Sequence, residues 1–163
     1  HQVKTGGDIA AITGLCKSLL ALDDEAVKNG MPRVLDTDFI AQHCHGFQAF
    51  ADFVRAQSWD AIETDSGLTR TALEGAARVY ARANAVIGVY GMGLTQHVLG
   101  EYNIYMVASL LLMRGNLGRP GAGICPVRGH SNVQGQRTVG IADDPALVPL
   151  DRLAEQYGFA PPR

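Results

Sequence analysis

Between Gly91 and Gly135 the chain turns sharply three times. The turns are Gly91-Met92-Gly93-Leu94-Thr95-Gln96-His97, then Gly115-Asn116-Leu117-Gly118-Arg119-Pro120-Gly121-Ala122-Gly123, then Pro126-Val127-Arg128-Gly129-His130-Ser131-Asn132-Val133-Gln134-Gly135. Glycine carries no side chain to hold off a neighbour and reaches positive φ at little cost, so such runs leave backbone N–H groups facing outward. An oxyanion such as phosphate is the guest that suits them. The segment therefore reads as loop machinery around a large phosphorylated ligand, hung on whatever regular structure lies between the turns.

That regular structure is legible on both sides of the first turn. Ala85-Val86-Ile87-Gly88-Val89-Tyr90 is short, β-rich and almost wholly apolar, the pattern of a parallel strand buried on both faces. Gly91-Met92-Gly93 then falls at its carboxyl end, where open α/β sheets bind their ligands. From Tyr102 to Met113 the sequence is apolar nearly all round a helix, which predicts burial, and Gly115 with Asn116 predicts a left-handed stop. A nicotinamide dinucleotide fits poorly: Gln96 replaces the third glycine of that fingerprint, and no second strand ending in an acidic residue follows.

Upstream the chain reads as helices. Residues 8–22 carry apolar groups at three- and four-residue spacing, with Gly6-Gly7-Asp8 as the entry and Asp8 as a candidate N-cap. Cys16 falls on the apolar side. The polar stretch from Asp23 to Arg33 predicts a break, and 36–56 predicts one helix or two, interrupted near Gly46. Thr69 is placed to cap a helix over 70–84, whose Leu73, Ala76, Ala77, Tyr80 and Ala81 share one face. Trp59 reads as a core anchor.

Composition closes off several function classes. Fourteen basic residues against sixteen acidic ones generate no field for nucleic acid or an anionic membrane. The longest apolar run, Met106 to Met113, is far short of the roughly 20 residues that span a bilayer. Cys16, Cys44 and Cys125 form neither a Cys-x-x-Cys pair nor an even disulfide set, which points to a reducing, cytoplasmic setting. His43-Cys44-His45 is no zinc site, because consecutive residues on a helix point about 100° apart. At 163 residues with 47% hydrophobic content the chain suffices for one core. Its start at His1, without methionine, suggests a piece of something longer.

After Gly123 the sequence changes character. Arg128, His130, Ser131, Asn132, Gln134 and Arg137 concentrate hydrogen-bonding groups with no apolar period. Such a loop suits a polar heterocycle or its phosphates: Arg128 offers a planar fork, and Asn132 and Gln134 each offer a donor and an acceptor. His130 is a candidate for proton transfer by residue type, yet no sequence partner marks it as catalytic.

Taken in order, Gly-Met-Gly-x-Thr-Gln-His, an apolar helix, Gly-Asn-x-Gly-Arg-Pro-Gly-Ala-Gly and Pro-Val-Arg-Gly-x-Ser-Asn-Val-Gln-Gly resemble the molybdopterin oxidoreductases related to the formate dehydrogenase catalytic subunit. Gly6-Gly7-Asp8 is similar to that family's Gly-Thr-Asp, with Gly7 in place of the threonine. The resemblance implies a helix-rich α/β fragment of the formate dehydrogenase/DMSO reductase-like fold with a short parallel sheet. It also implies a parent enzyme that holds molybdenum or tungsten between two molybdopterin guanine dinucleotides, with a 4Fe-4S cluster elsewhere in that parent. The substrate would be formate or another small molecule.

Carried over by position, Met92, Gly93 and Gln96 lie against the pterin dinucleotide, Gly7 and Asp8 belong to its guanine-side turn, and Arg128, Asn132 and Gln134 join them. No catalytic residue or metal ligand is implied within the chain, so alone it should be inactive. The expected organisation is one internal fragment: 1–96 as part of a dinucleotide-cofactor domain, 97–140 as the buried helix and pterin-facing loops, and 141–163 as a connecting tail. The expected partner is the remainder of the parent polypeptide. The alternatives are a nucleotide-binding α/β domain of another enzyme and a non-catalytic interaction module.

Overall fold

The computed structural model describes residues 1–161. It divides into two units, His1–Val127 and a second that begins at Arg128.

The first unit is built on one long helix, α1 (Asp8–Lys28), packed against α3 (Phe47–Ala56), α4 (Trp59–Ser66), α5 (Arg70–Arg82) and α7 (Gly100–Leu112). Its inward stripe Cys16, Leu19 and Leu20 meets Ile40 of α2 (Thr37–His43), Ala51, Val54, Ala77, Met106 and Met113 in the main core. A smaller cluster joins Ala11, Ile62 and Leu73, with Trp59 packed half-buried at its margin. The Arg70 guanidinium lies 5.0 Å over the Trp59 ring, so this indole serves both as apolar filler and as a cation platform.

Side-chain caps set the N-terminal ends of three helices. Asp36 Oδ1 accepts from the Phe39 N–H at 3.0 Å, Ser58 Oγ from the Ala61 N–H at 3.1 Å, and Thr69 Oγ1 from the Ala72 N–H at 3.3 Å. The interruption near Gly46 is real, with Gly46 at φ 70 separating α2 from α3. The break expected at Asp23 is not: α1 continues to Lys28. Asp23 is buried on the inner side of the helix, where it pairs with Arg33 and accepts from the N–H groups of Val34 (2.9 Å) and Leu35 (3.0 Å). A charged residue in the middle of the pattern was thus an inward anchor, not a stop signal.

The strand prediction needs correction in its surroundings. Strand β1 (Ile87–Tyr90) pairs in parallel with β2 (Gly123–Pro126), in register Ile87 with Gly123 and Val89 with Cys125. One face rests on α7, where a Cβ at Gly88 would lie 3.0 Å from Leu111 Cδ1. The other face is open, with Ile87 53% and Val89 64% exposed. Nor is α7 buried all round: Tyr102 and Tyr105 stand edge to face at 6.1 Å and are more than half exposed. Hydrophobic character marks a surface that can be covered; it does not say that the covering partner is present. No helix among the described residues is long and apolar enough to cross a membrane.

The second unit holds α8 (Val133–Thr138), a 3₁₀ turn at Pro145–Leu147 and α9 (Leu150–Tyr157), which Gly158 ends at φ 69. The polar run expected to be loop therefore turns helical at Val133. Asn132 enters it in the left-handed region at φ 55, a conformation asparagine tolerates better than most residues. Arg137 and Asp143 form an ion pair at 3.6 Å.

Candidate functional site

Two of the glycine segments singled out in the sequence meet in the first unit. The N-terminal turn is closed by Gly7 N–H donating to Lys4 O at 2.8 Å and anchored by Lys4 N–H donating to Ser66 O at 2.8 Å. Gly6 sits at φ 78. Gly7 is buried, and a Cβ there would collide with the Asp65 carbonyl oxygen and come within 2.9 Å of Ser66 Cα. Glycine stands at this position because α1 must start directly against the end of α4. Asp8 opens α1 but its side chain caps nothing, contrary to expectation; its charge instead lies in the first turn, where it complements the helix dipole.

The first glycine loop stands beside that turn. At the carboxyl end of β1, Tyr90 O accepts from the Val127 N–H at 2.7 Å and the chain enters Gly91 in extended form (φ −121, ψ −163). Residues Met92–Thr95 then make a single helical turn, α6, closed by Gln96 N–H donating to Met92 O at 2.7 Å. Neither Gly91 nor Gly93 uses positive φ. What Gly93 provides is space: nothing lies within 4 Å of where its Cβ would be. Met92, Gly93 and Gln96 are exposed around it.

Two residues outside the expected site hold this loop in place. Asn103 of α7, 1% exposed, donates from Nδ2 to Leu94 O at 2.9 Å. His97 Nδ1 accepts from the Leu99 N–H at 3.0 Å, and its Nε2 lies 3.2 Å from the position a Cβ on Gly6 would take. Two concavities lie beside the N-terminal turn, the smaller of them also lined by Leu94 of the loop. Lys4, Gly6, Thr13, Gln57 and Leu99 line one of about 410 Å³, and Asp8, Leu15, Leu73 and Leu94 line one of about 250 Å³. An asparagine inside an otherwise apolar helix was the sequence signal for Asn103. His97 was in plain view at the end of the loop motif.

The middle loop behaves differently. Asn116 is fully buried: its Oδ1 accepts from the Val86 N–H (3.2 Å) and Arg119 Nη2 (2.8 Å), while its Nδ2 donates to the Tyr80 hydroxyl at 3.0 Å. Arg119 Nε donates to Gly115 O at 2.8 Å, and Arg114 reaches the carbonyls of Val34, Tyr80 and Ala83. Burial pushes the Tyr80 phenol up, against the opposing pull of the Asn116 hydrogen bond. These polar groups knot α5, β1 and the end of α7 together, so much of this loop's chemistry is spent inside the protein.

In the second unit Arg128 is half-buried and Asn132 and Gln134 are exposed. Gln134 lies in the first turn of α8, and a Cβ at Gly135 would meet the Asn132 side-chain amide, which would have to swing aside. Among the described residues no group of three His, Cys, Asp or Glu side chains could hold a metal ion. Fork, amide and backbone donors are what these segments offer, and they suit an anionic or heterocyclic guest.

No family model matches the chain. Protein YdeP of Escherichia coli strain K12 is 48% identical over 162 residues, which is 99% of this chain and 21% of that protein. The uncharacterized oxidoreductase Rv2900c of Mycobacterium tuberculosis strain H37Rv is 36% identical over 162 residues, again 99% of this chain and 20% of that protein. Formate dehydrogenase H of E. coli K12 is 34% identical over 125 residues, 73% of this chain and 18% of that enzyme. The chain spans about a fifth of the length of the curated relatives it matches. It is therefore similar, nearly end to end, to one portion of longer proteins, and proteins named oxidoreductases are among them.

Proposed function

We propose that the chain forms part of the cofactor wall of a molybdopterin-dependent oxidoreductase of the formate dehydrogenase type, acting on formate or a similar small molecule. The observation that carries this reading is the meeting of the Gly6-Gly7-Asp8 turn with His97 at the end of a loop whose Gly93 is open to close approach by a ligand. The ordered motifs and the 34% identity with formate dehydrogenase H support it.

The residues fit a pterin guanine dinucleotide. Gly93 lets a bulky ring lie on the backbone, Met92 offers a polarizable apolar contact, and Gln96 offers a donor and an acceptor. Gly7 shapes the N-terminal turn, and Asp8 would offer a carboxylate acceptor to a guanine edge. Arg128, Asn132 and Gln134 supply a fork and two amides for phosphate or a pterin carbonyl. When bound, the group supplies a molybdenum or tungsten centre that exchanges electrons with the substrate. This chain's own residues bind and orient it; the 4Fe-4S cluster and the metal-ligating residue belong elsewhere in the parent.

The test is metal and guanine nucleotide per polypeptide in the longer protein, wild type against Gly93→Val with Gln96→Ala. Near two guanine nucleotides per metal atom, lost in the variant, is the expected result. A well-folded wild type with neither molybdenum nor tungsten would overturn the reading.

A further inference from the structure

His97 is held from two directions. Its Nδ1 accepts from the Leu99 N–H, two residues on, which closes the end of the first glycine loop on itself. In a neutral imidazole whose Nδ1 accepts, the hydrogen sits on Nε2. That second nitrogen lies over Gly6, close enough that even a methyl group there would stand at 3.2 Å. Gly6 also needs the left-handed region at φ 78, so the position is restricted twice, once by backbone and once by the ring.

The surrounding contacts give the ring a reason to be where it is. Gly7 cannot move toward α4, because Asp65 and Ser66 already fill that side. The loop cannot slide along α7 either. Asn103 pins Leu94, and a Cβ on Gly100 would collide with the Thr95 carbonyl oxygen. The ring lies in the seam between two segments that are each held on their far sides.

We infer that His97 is a positioning residue, a two-sided latch that couples the N-terminal glycine turn to the Gly91–His97 loop and so sets the spacing of the two. Its effect on ligand retention rests on the cofactor reading above; the coupling itself does not.

Hydrogen exchange in the polypeptide that carries this chain tests it, comparing wild type with His97→Leu and His97→Asn. Leucine keeps bulk but accepts nothing. Asparagine accepts from the N–H two residues on, as in an Asx turn, but is too short to reach Gly6. In His97→Leu, amides of residues 4–8 and 97–100 should both exchange faster, by up to about tenfold, the most that one hydrogen bond usually contributes. In His97→Asn only residues 4–8 should speed up. An N-terminal turn that exchanges at the wild-type rate in both variants would overturn the latch. Should His97→Leu fail to fold, the asparagine variant still decides.

Pterin and guanine nucleotide retained through gel filtration are read alongside. Loss in His97→Leu that tracks the exchange supports both readings. A wild type that holds neither, with the exchange pattern as described, sinks the cofactor reading and leaves the latch standing.

Discussion

The side-chain amide of Asn103 donates to the carbonyl oxygen of Leu94 at 2.9 Å, from a position 1% exposed inside the largely apolar helix α7. That single bond ties α7 to the loop that leaves β1. Replacing Asn103 with leucine removes the donor and leaves the Leu94 carbonyl without it. The expected cost is about 1–3 kcal/mol, read as a lower urea midpoint at unchanged m-value, with faster amide exchange confined to residues 92–99. A midpoint equal to wild type would show that the loop is held by other means.

Asp23 gives the fold an acid limit. Burial works to raise its carboxyl, but the hydrogen bond from Arg33 and those from the N–H groups of Leu35 and Val34 together outweigh it and hold the group below its usual value. A depressed carboxyl stabilises the fold fully above the ordinary carboxylate value of about 4, and that contribution is lost as pH falls through the lower folded value. Asp23→Ala should therefore lose about 2–3 kcal/mol at neutral pH. It should also show a shallower fall in urea midpoint on acidification than wild type. Parallel pH curves for the two proteins would contradict this account.

The three thiols should separate cleanly by reactivity. Burial pushes the Cys16 thiol up to about 12, burial also raises Cys44 in its half-buried site, and Cys125 is exposed on the open face of the sheet. Thiolate is the reactive form, so an alkylating reagent near pH 8 should label Cys125 first, Cys44 more slowly and Cys16 only on unfolding. Peptide mass spectrometry over a time course reads the order. Early labelling of Cys16 would mean that the core around α1 opens readily.

Glycines can be sorted by what an added methyl group meets. At Gly115, φ is 58 and a Cβ would lie 2.5 Å from Asp36 Oδ2, so Gly115→Ala is strained in both backbone and space. At Gly118, φ is 74 but nothing is near, and the cost should be the left-handed penalty alone, about 1–2 kcal/mol. Gly93→Ala, in helical backbone with open surroundings, should be neutral or stabilising by about 0.5–1 kcal/mol. Thermal unfolding of the three variants should rank them Gly115 worst, then Gly118, then Gly93. A destabilised Gly93→Ala would remove the argument that this glycine is kept for ligand approach.

The sequence carried the helices well wherever a stop or a cap is a local matter. Gly46, Thr69 and Gly115 act as expected because φ and a single side-chain bond are decided within a few residues. Asp23 misled because burial of a charge depends on Arg33 and the 34–35 backbone, partners that periodicity does not display. Ile87 and Val89 misled in the other direction, since an apolar pattern cannot reveal whether its cover lies in the same chain. The candidate site was half legible. The glycine loop at the end of β1 followed from strand, turn and helix order, whereas the meeting of Gly6 with His97 depends on how α1 and α7 pack.

The open face of the β1–β2 pair has a practical meaning for anyone handling these residues by themselves. Among the described residues each strand bonds only to the other, so each also presents an outer row of unpaired N–H and C=O groups beside bare Ile87 and Val89. A lone two-stranded parallel ribbon is an unfinished template, and a free apolar edge recruits whatever strand is nearest. In a dilute preparation that neighbour is water; in a concentrated one it is another copy of the same ribbon. Self-association that grows with concentration would then be the signature of a surface made for strands and helices to be laid upon it.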